Sequence, residues 1–167
     1  SMMYTLPSLM DGVAVNVGFT PSGTSTESAT SYSLTYTGVE GLSVSYGHGD
    51  GTTANTDGTA MKASYAMGSF TIAASSYEYE ADGTSADNDT SSYQLSYTVS
   101  DEISISYGAD TIEEGTSSDV EATRLKVSYT AGGMTLSGAM AEIENIDGST
   151  TATEDRELWS LGASFAF

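Results

Sequence analysis

The sequence predicts an all-β fold in which antiparallel strands follow one another up and down along a single sheet. Three observations lead to this prediction. Apolar and polar residues alternate with a period of two, which is the side-chain periodicity of an extended strand. The alternating unit recurs, as SYSLTYT at 31–37, SYQLSYT at 92–98 and RLKVSYT at 124–130. Short and long connections alternate between these units, so the repeated element is a β-hairpin.

Ten full strands and the end of an eleventh fit this pattern. The full strands are predicted at 12–20, 29–38, 41–49, 58–67, 69–79, 90–99, 102–110, 120–130, 133–142 and 154–167, and residues 2–6 end another. Short turns are predicted at 7–11, 38–41, 67–69, 99–102 and 130–133, and long loops at 20–29, 49–58, 80–90, 110–119 and 143–154. Gly, Asp, Asn, Ser and Thr fill the loops because they favour turn conformations. Tight turns at one end and long loops at the other are typical of transmembrane β-barrels.

The composition excludes several classes of protein. The 167 residues, enough for one domain, include 18 Gly and 11 Tyr but only 4 Lys plus Arg. No segment approaches the ~20 consecutive apolar residues of a transmembrane helix, so a soluble β protein and a membrane barrel remain. The net charge of −19 argues against nucleic acid as a partner, because phosphate binding needs clustered cations. The chain has no Cys, which excludes a disulfide framework and thiolate metal sites.

Alternate residues divide each strand into two chemically different faces. The strand at 102–110 places Ile103, Ile105 and Tyr107 on one side and Ser104 and Ser106 on the other. A soluble β-sandwich would show the same alternation. The polar side, however, carries Ser, Thr and Gly instead of the Lys and Glu that usually cover solvated strands. This composition favours a barrel with a lipid-facing exterior over a sandwich.

Tyrosines recur on the apolar side near the strand ends. Those just before a short turn are Tyr36, Tyr65, Tyr97 and Tyr129. Amphipathic aromatic rings prefer the headgroup region of a bilayer, so these residues are expected to form a girdle. Trp159 and Tyr32 lie towards the loop end and suit a second girdle. The alternative is that the tyrosines pack in a sandwich core.

All four basic residues have the parity of the polar side. They are Lys62, Arg124, Lys126 and Arg156. A cation facing lipid at mid-bilayer costs ~2–4 kcal/mol, so a barrel must turn such residues inward. We therefore predict that these four residues line a pore wall. Avoidance of lipid alone would give the same placement, so a role in conduction stays open.

Most carboxylates lie in or beside the long loops. The sequence predicts an external acidic rim formed by Glu78, Glu80, Asp82, Asp87, Asp89, Glu113 and Glu114. A rim of one sign concentrates counter-ions, so we expect a cation bias at the mouth, opposed locally by the basic wall. A solvated acidic surface explains the same residues more simply. Carboxylates suit divalent cations, but no EF-hand spacing is present and no metal site is predicted.

The sequence does not indicate an enzyme. His48 is the single histidine, and it has the parity of the apolar side at the loop end of its strand. An interfacial position explains it more simply than catalysis does. Asp50 is close in sequence, but Gly49 and Gly51 flank it, which is typical of a flexible turn. No nucleophile motif or phosphate-binding loop is present, and no cofactor is predicted.

Both ends of the chain resemble Gram-negative outer-membrane proteins. The C-terminal WSLGASFAF is similar to the closing strand of bacterial outer-membrane barrels, which ends in an aromatic residue, here Phe167. The segment YTLPSLMDGVAVNVGFTPSG at 4–23 resembles a strand–turn–strand inside porins. The resemblance implies an outer-membrane pore for passive diffusion of small hydrophilic solutes and ions, with no cofactor. It also implies that the barrel-assembly machinery reads Phe167 as a signal.

The resemblance further implies a larger assembly. Porins of this type have 16 strands, form trimers and fold one external loop into the lumen. Residues 1–167 are then a single β-barrel domain that supplies the C-terminal part of a homotrimeric porin embedded in outer-membrane lipid. The alternative is that ten strands close into a complete small barrel, with a structural or adhesin role through its acidic external loops.

Overall fold

The computed structural model describes residues 1–7, 10–23, 26–81, 87–115, 117–148, 150 and 155–166. In these ranges the chain forms one antiparallel sheet of eleven strands, in which strands that follow one another in sequence pair with each other. The strands are β1 (Met2–Thr5), β2 (Val13–Thr20), β3 (Ala29–Tyr36), β4 (Leu42–Asp50), β5 (Asp57–Met67), β6 (Phe70–Glu80), β7 (Asn88–Thr98), β8 (Ile103–Glu114), β9 (Val120–Ala131), β10 (Met134–Glu144) and β11 (Arg156–Phe165). The prediction of an all-β, up-and-down architecture is confirmed.

The strand boundaries differ from the prediction mainly at the loop end. Strand β8 continues to Glu114, four residues past its predicted end, because Thr111 and Glu113 pair with Ser91 and Asp89 of β7. Residues expected in loops therefore belong to the sheet. At the N-terminal end of the chain, the segment predicted at residues 2–6 is the four-residue strand β1, which pairs with β2.

Glycine with a positive φ lies in several of the tight turns at the short-connection end. Gly41 lies between β3 and β4 with a φ of 77°, and a Cβ at this position would collide with the carbonyl oxygen of Ala66. The neighbouring strand thus comes close to the turn, and only glycine satisfies both the positive φ and the close approach. The amide of Ala66 donates a hydrogen bond of 2.8 Å to the Gly41 carbonyl, which ties this turn to β5.

No second layer covers the sheet in the described part of the chain. Leu95, Val127 and Leu161 are 47%, 43% and 81% exposed, and Ala29 is the one buried apolar residue among those described. A soluble β-sandwich would bury the first three residues between two sheets. The sandwich alternative is therefore wrong, and the apolar side chains lie on an uncovered face.

The first and last strands, β1 and β11, are the two edges of the sheet. Consecutive strands reverse direction, so the first and the eleventh strand run the same way. Direct closure would pair them in parallel, whereas bacterial outer-membrane barrels close with antiparallel strands in even number. The sheet described here is thus open, not the closed ten-stranded barrel of the alternative prediction.

One 3-10 helix, Ile146–Gly148, follows β10. Its Gly148 carbonyl accepts a hydrogen bond of 3.3 Å from the amide of Ser118. No helix in the described ranges is both long enough and apolar enough to cross a membrane.

Candidate pore wall

The cross-strand register separates two faces with different chemistry. We call the face that carries Leu95, Tyr107 and Leu125 the apolar face, and the face that carries Ser106 and Lys126 the polar face. On the apolar face one continuous row crosses seven strands, from Tyr65 through Ile72, Leu95, Tyr107, Leu125 and Met140 to Trp159. On the polar face a parallel row runs through Ala66, Thr71, Ser96, Ser106, Lys126, Ala139 and Ser160. The predicted division of each strand thus extends across neighbouring strands.

The polar face is concave. A cavity of about 640 Å³ opens on it between β4 and β9. Most of its lining residues belong to the polar face, and hydroxyl groups dominate the lining, including those of Ser43, Ser45, Ser64, Ser75, Ser92 and Ser106. Short side chains keep this volume open, and their hydroxyl groups suit contact with water and polar solutes.

Three of the four predicted wall cations border this cavity. Lys62 of β5 lies opposite Ser45 and Ser75, so only short hydroxyl side chains flank it in the register. Arg124 and Lys126 of β9 point to the same face two residues apart, which separates their Cα atoms by about 6.6 Å along the strand. All three line the cavity. The sheet therefore brings Lys62 to the same cavity as two cations that are 62 and 64 positions later in the sequence.

The neighbours of Arg124 and Lys126 are equally small. Arg124 lies opposite Gly108 and Ala141, and Lys126 lies opposite Ser106 and Ala139. Small cross-strand neighbours leave room for long cationic side chains to extend into the concavity. The fourth cation, Arg156, lies opposite Ile143 on the polar face of the edge strand β11 and does not line the cavity.

None of the four cations has an acidic partner among the described residues. The one ion pair there joins His48 Nε2 and Asp50 Oδ1 at 3.9 Å. Lys62, Arg124 and Lys126 are exposed on the concave side. No carboxylate of the described residues therefore neutralises these three cations within the protein.

Asp110 is a cavity residue that sequence reasoning missed. It lies on the polar face of β8, opposite Ser92 and Ala122, and lines the same cavity as the three cations. The sequence did contain a signal for it. Asp110 has the parity of Ser106 and Gly108, but it was expected at the strand end beside a loop.

The predicted acidic rim is divided between the two faces. Glu78, Asp89 and Glu113 lie directly opposite one another in a single row. The side chains of this row have the parity of the apolar face. The row lies closer to the loop ends of the strands than the apolar residues of that face do. Glu80 shares this parity, whereas Glu114 lies on the polar face, where its Oε1 accepts a hydrogen bond of 3.4 Å from Asn88 Nδ2.

The remaining predicted rim and assembly residues are Asp87, Asp82 and Phe167. Asp87 Oδ1 accepts a hydrogen bond of 3.1 Å from the amide of Ala81, across the loop between β6 and β7. Asp82 of the predicted rim and Phe167, the predicted assembly signal, lie outside the described residues.

No grouping of three or more acidic or histidine side chains that suits a metal ion occurs within the described ranges.

Two groups of aromatic side chains lie in ring contact on the apolar face. At the turn end, Tyr97 stacks on Phe70 with ring centroids 4.6 Å apart. At the loop end, Tyr32 lies with its ring centroid 6.0 Å from that of Tyr46 and 5.5 Å from that of His48. Tyr46 and Tyr107 lie in the middle of β4 and β8, so the two aromatic girdles stay a prediction.

His48 belongs to a polar cluster at the loop end of the apolar face. Its Nδ1 lies 2.9 Å from Thr59 Oγ1, and the Asp50 carboxylate accepts a hydrogen bond of 2.7 Å from Thr30 Oγ1. The distance of 3.9 Å between His48 and Asp50 is too long for a hydrogen bond. The carboxylate therefore does not orient the imidazole in the way that acyl-transfer chemistry requires.

A second concavity was not anticipated from the sequence. It has a volume of about 520 Å³ and lies between β1 and β6. Gly47, Gly49 and Gly58 line its wall together with Tyr77. Tyr77 pairs with Ala60 on the polar face, so not every tyrosine belongs to the apolar side.

No protein-family model matches the sequence, and a search of curated proteins finds no match. Solved structures do match. An anion-selective porin from Comamonas acidovorans is 19% identical with a TM-score of 0.64, and the match covers 85% of this chain and 48% of the porin. A mutant of the Rh. blastica porin is 16% identical with a TM-score of 0.69, over 94% and 64% of the two chains. OccD3 (OpdP) of Pseudomonas aeruginosa is 11% identical with a TM-score of 0.74, over 98% and 57%.

These similarities establish a shared fold. The chain spans about half to two thirds of the length of the structures it matches. Its sheet therefore corresponds to part of a porin barrel wall. The resemblance to porins that the strand pattern and chain ends indicated is confirmed at the level of the fold.

Proposed function

We propose that this chain forms part of the wall of a bacterial outer-membrane pore, through which small hydrophilic solutes and ions diffuse passively without catalysis. The observation that carries the proposal is the uncovered apolar face behind a concave, hydroxyl-rich polar face. A single sheet has no interior in which to bury the row from Tyr65 to Trp159. Lipid supplies the missing apolar surroundings, and water fills the concave side.

The placement of charge supports this orientation. Lys62, Arg124, Lys126 and Arg156 all lie on the polar face. In the reverse orientation Lys62, Arg124 and Lys126 would enter the hydrocarbon, at a cost of roughly 2–4 kcal/mol each near the bilayer midplane. Ser75, opposite Lys62, would face lipid as well. The orientation with the polar face towards a lumen avoids these costs.

Further strands complete the barrel in this proposal. Since β1 and β11 run in the same direction, an odd number of added strands restores antiparallel pairing at both edges and gives an even total. Five added strands give the 16-stranded barrel that the porin resemblance implies. Unpaired backbone groups in hydrocarbon cost several kcal/mol each, so the open edges require such partners. Residues 1–167 then belong to one β-barrel domain.

Two parts of the proposal depend on the porin resemblance. The complete barrel forms a homotrimer, and the barrel-assembly machinery recognises the C-terminal strand through Phe167. The adhesin alternative gains no support, since the matched structures named for a function are porins.

Single-channel recording tests the proposal. The complete barrel that contains this chain is purified from outer membranes and added to a planar lipid bilayer. We expect discrete conductance steps, together with a shift in gel mobility on heating that reports barrel unfolding. Protein that shows the heat-dependent shift but no steps over many insertions would contradict a pore and indicate a plugged barrel.

A further inference from the structure

We infer that the wall formed by this chain favours small anions over cations, although the chain carries a net charge of −19. This inference rests on the proposed pore and names the solutes it prefers. Net charge alone indicates the opposite preference, because an acidic surface attracts cations. The distribution of charges between the two faces of the sheet, and not the net charge, determines which ions the wall favours.

The strands place nearly all their carboxylates on the apolar face, beyond its apolar residues. Glu78 lies opposite Asp89, which lies opposite Glu113. Glu142 and Glu157 are also directly opposite each other in the register. These groups point away from the concave side, so they surround the barrel on its outside. An ion inside the lumen does not pass between them.

The polar face has the opposite balance. Its strand residues include the four cations, and the carboxylates there are Asp110 and Glu114. Around the cavity the contrast is sharper, because Lys62, Arg124 and Lys126 line it with Asp110 as the one carboxylate among its described lining residues. A solute in this cavity thus meets an excess of positive charge.

No neighbouring carboxylate offsets the charges of these wall cations. Among the described residues, no carboxylate oxygen lies within 4.0 Å of Lys62, Arg124 or Lys126, since the one ion pair there joins His48 and Asp50. A concave wall of low dielectric constant concentrates the field of such charges and raises the local concentration of counter-ions. Charges on the outer surface act through more water and are screened over a Debye length of about 8 Å at physiological ionic strength.

The chemistry of the three cations also indicates which anions suit the site. Arg124 offers the planar fork that binds carboxylate and phosphate groups with two hydrogen bonds. Lys126 is two residues away on the same face, with the hydroxyl side chain of Ser106 opposite it, and both cations line the cavity. Chloride and small organic carboxylates or phosphates are therefore the solutes that this wall favours.

The reversal potential across a salt gradient tests the inference. The complete barrel is inserted into a neutral bilayer with KCl at different concentrations on the two sides. We expect a reversal potential of the sign given by chloride permeation. The combined variant Lys62→Gln, Arg124→Gln and Lys126→Gln is expected to lower the permeability ratio of chloride to potassium by roughly tenfold.

A matched control neutralises the outer row. Glu78→Gln, Asp89→Asn and Glu113→Gln remove the same number of charges from the apolar face and are expected to leave the ratio unchanged. Potassium-selective channels in the unmodified protein, or an equal effect of both variants, would overturn the inference alone. Absence of any channels would overturn the proposed pore as well. Should the combined variant fail to assemble, Lys62→Gln alone must still shift the reversal potential towards potassium.

Discussion

Leu125 and Lys126 are consecutive residues of β9 that lie on opposite faces of the sheet. Leu125 is opposite Tyr107 and Met140, whereas Lys126 is opposite Ser106 and Ala139. A shift of the register by one residue would exchange their surroundings and place the cation on the apolar face. The pairing of β9 with its neighbours therefore fixes which side chains meet lipid and which meet water.

A cation at the position of Leu125 should destabilise the protein strongly. We expect Leu125→Lys to lower the free energy of unfolding in phospholipid vesicles by about 2–4 kcal/mol, because the ammonium group enters the apolar region. Reversible urea unfolding followed by tryptophan fluorescence measures the change. Ser96→Lys is the control, since Ser96 lies on the polar face between Thr71 and Ser106. Equal costs at both positions would contradict the assigned orientation.

The stacked pair Phe70 and Tyr97 should contribute a measurable coupling energy. Their ring centroids are 4.6 Å apart with an interplanar angle of 28°. Offset-stacked aromatic pairs contribute about 0.5–1.5 kcal/mol beyond their burial. A double-mutant cycle with Phe70→Ala and Tyr97→Ala should therefore show coupling of this size in the unfolding free energy. Phe70 and Tyr129, on strands that do not pair, provide a cycle that should show none.

Substitution of Phe167 tests the assembly signal that the porin resemblance implies. We expect Phe167→Ser to reduce the amount of heat-modifiable barrel in the outer membrane several-fold without changing total synthesis. Ala166→Ser, one residue earlier, should assemble normally. Normal assembly of Phe167→Ser, measured by gel mobility of isolated outer membranes, would show that this chain does not depend on its terminal aromatic residue.

The sequence predicts the fold and the two faces because both follow from local periodicity. Alternation along each strand is enough to place Lys62 and Lys126 on one side and Leu125 on the other. The single-layer arrangement also follows, since the polar residues are Ser and Thr instead of the charged residues of a solvated face. The positions of three short turns follow from glycine, at Gly41, Gly68 and Gly132, whereas the turn at 99–102 contains none.

Features that depend on pairing between strands are harder to predict. Glu113 was expected in a loop because its sequence surroundings are polar, yet pairing with Asp89 extends β8 past it. As strand residues, Glu113 and Glu114 point to opposite faces of the sheet. The predicted acidic rim is therefore divided between the two faces. The cavity shared by Lys62 and Arg124 depends on sheet curvature, which no single strand encodes.

Site-directed spin labelling measures whether alternate residues of each strand face hydrocarbon and water. The chain has no cysteine, so single cysteines at positions 124 to 129 of β9 can each carry one nitroxide in bilayer-embedded protein. We predict collision with dissolved oxygen at Leu125, Val127 and Tyr129, and collision with a water-soluble nickel complex at Arg124, Lys126 and Ser128. A uniform profile along the strand, or water access at Leu125 and Val127, would contradict the account.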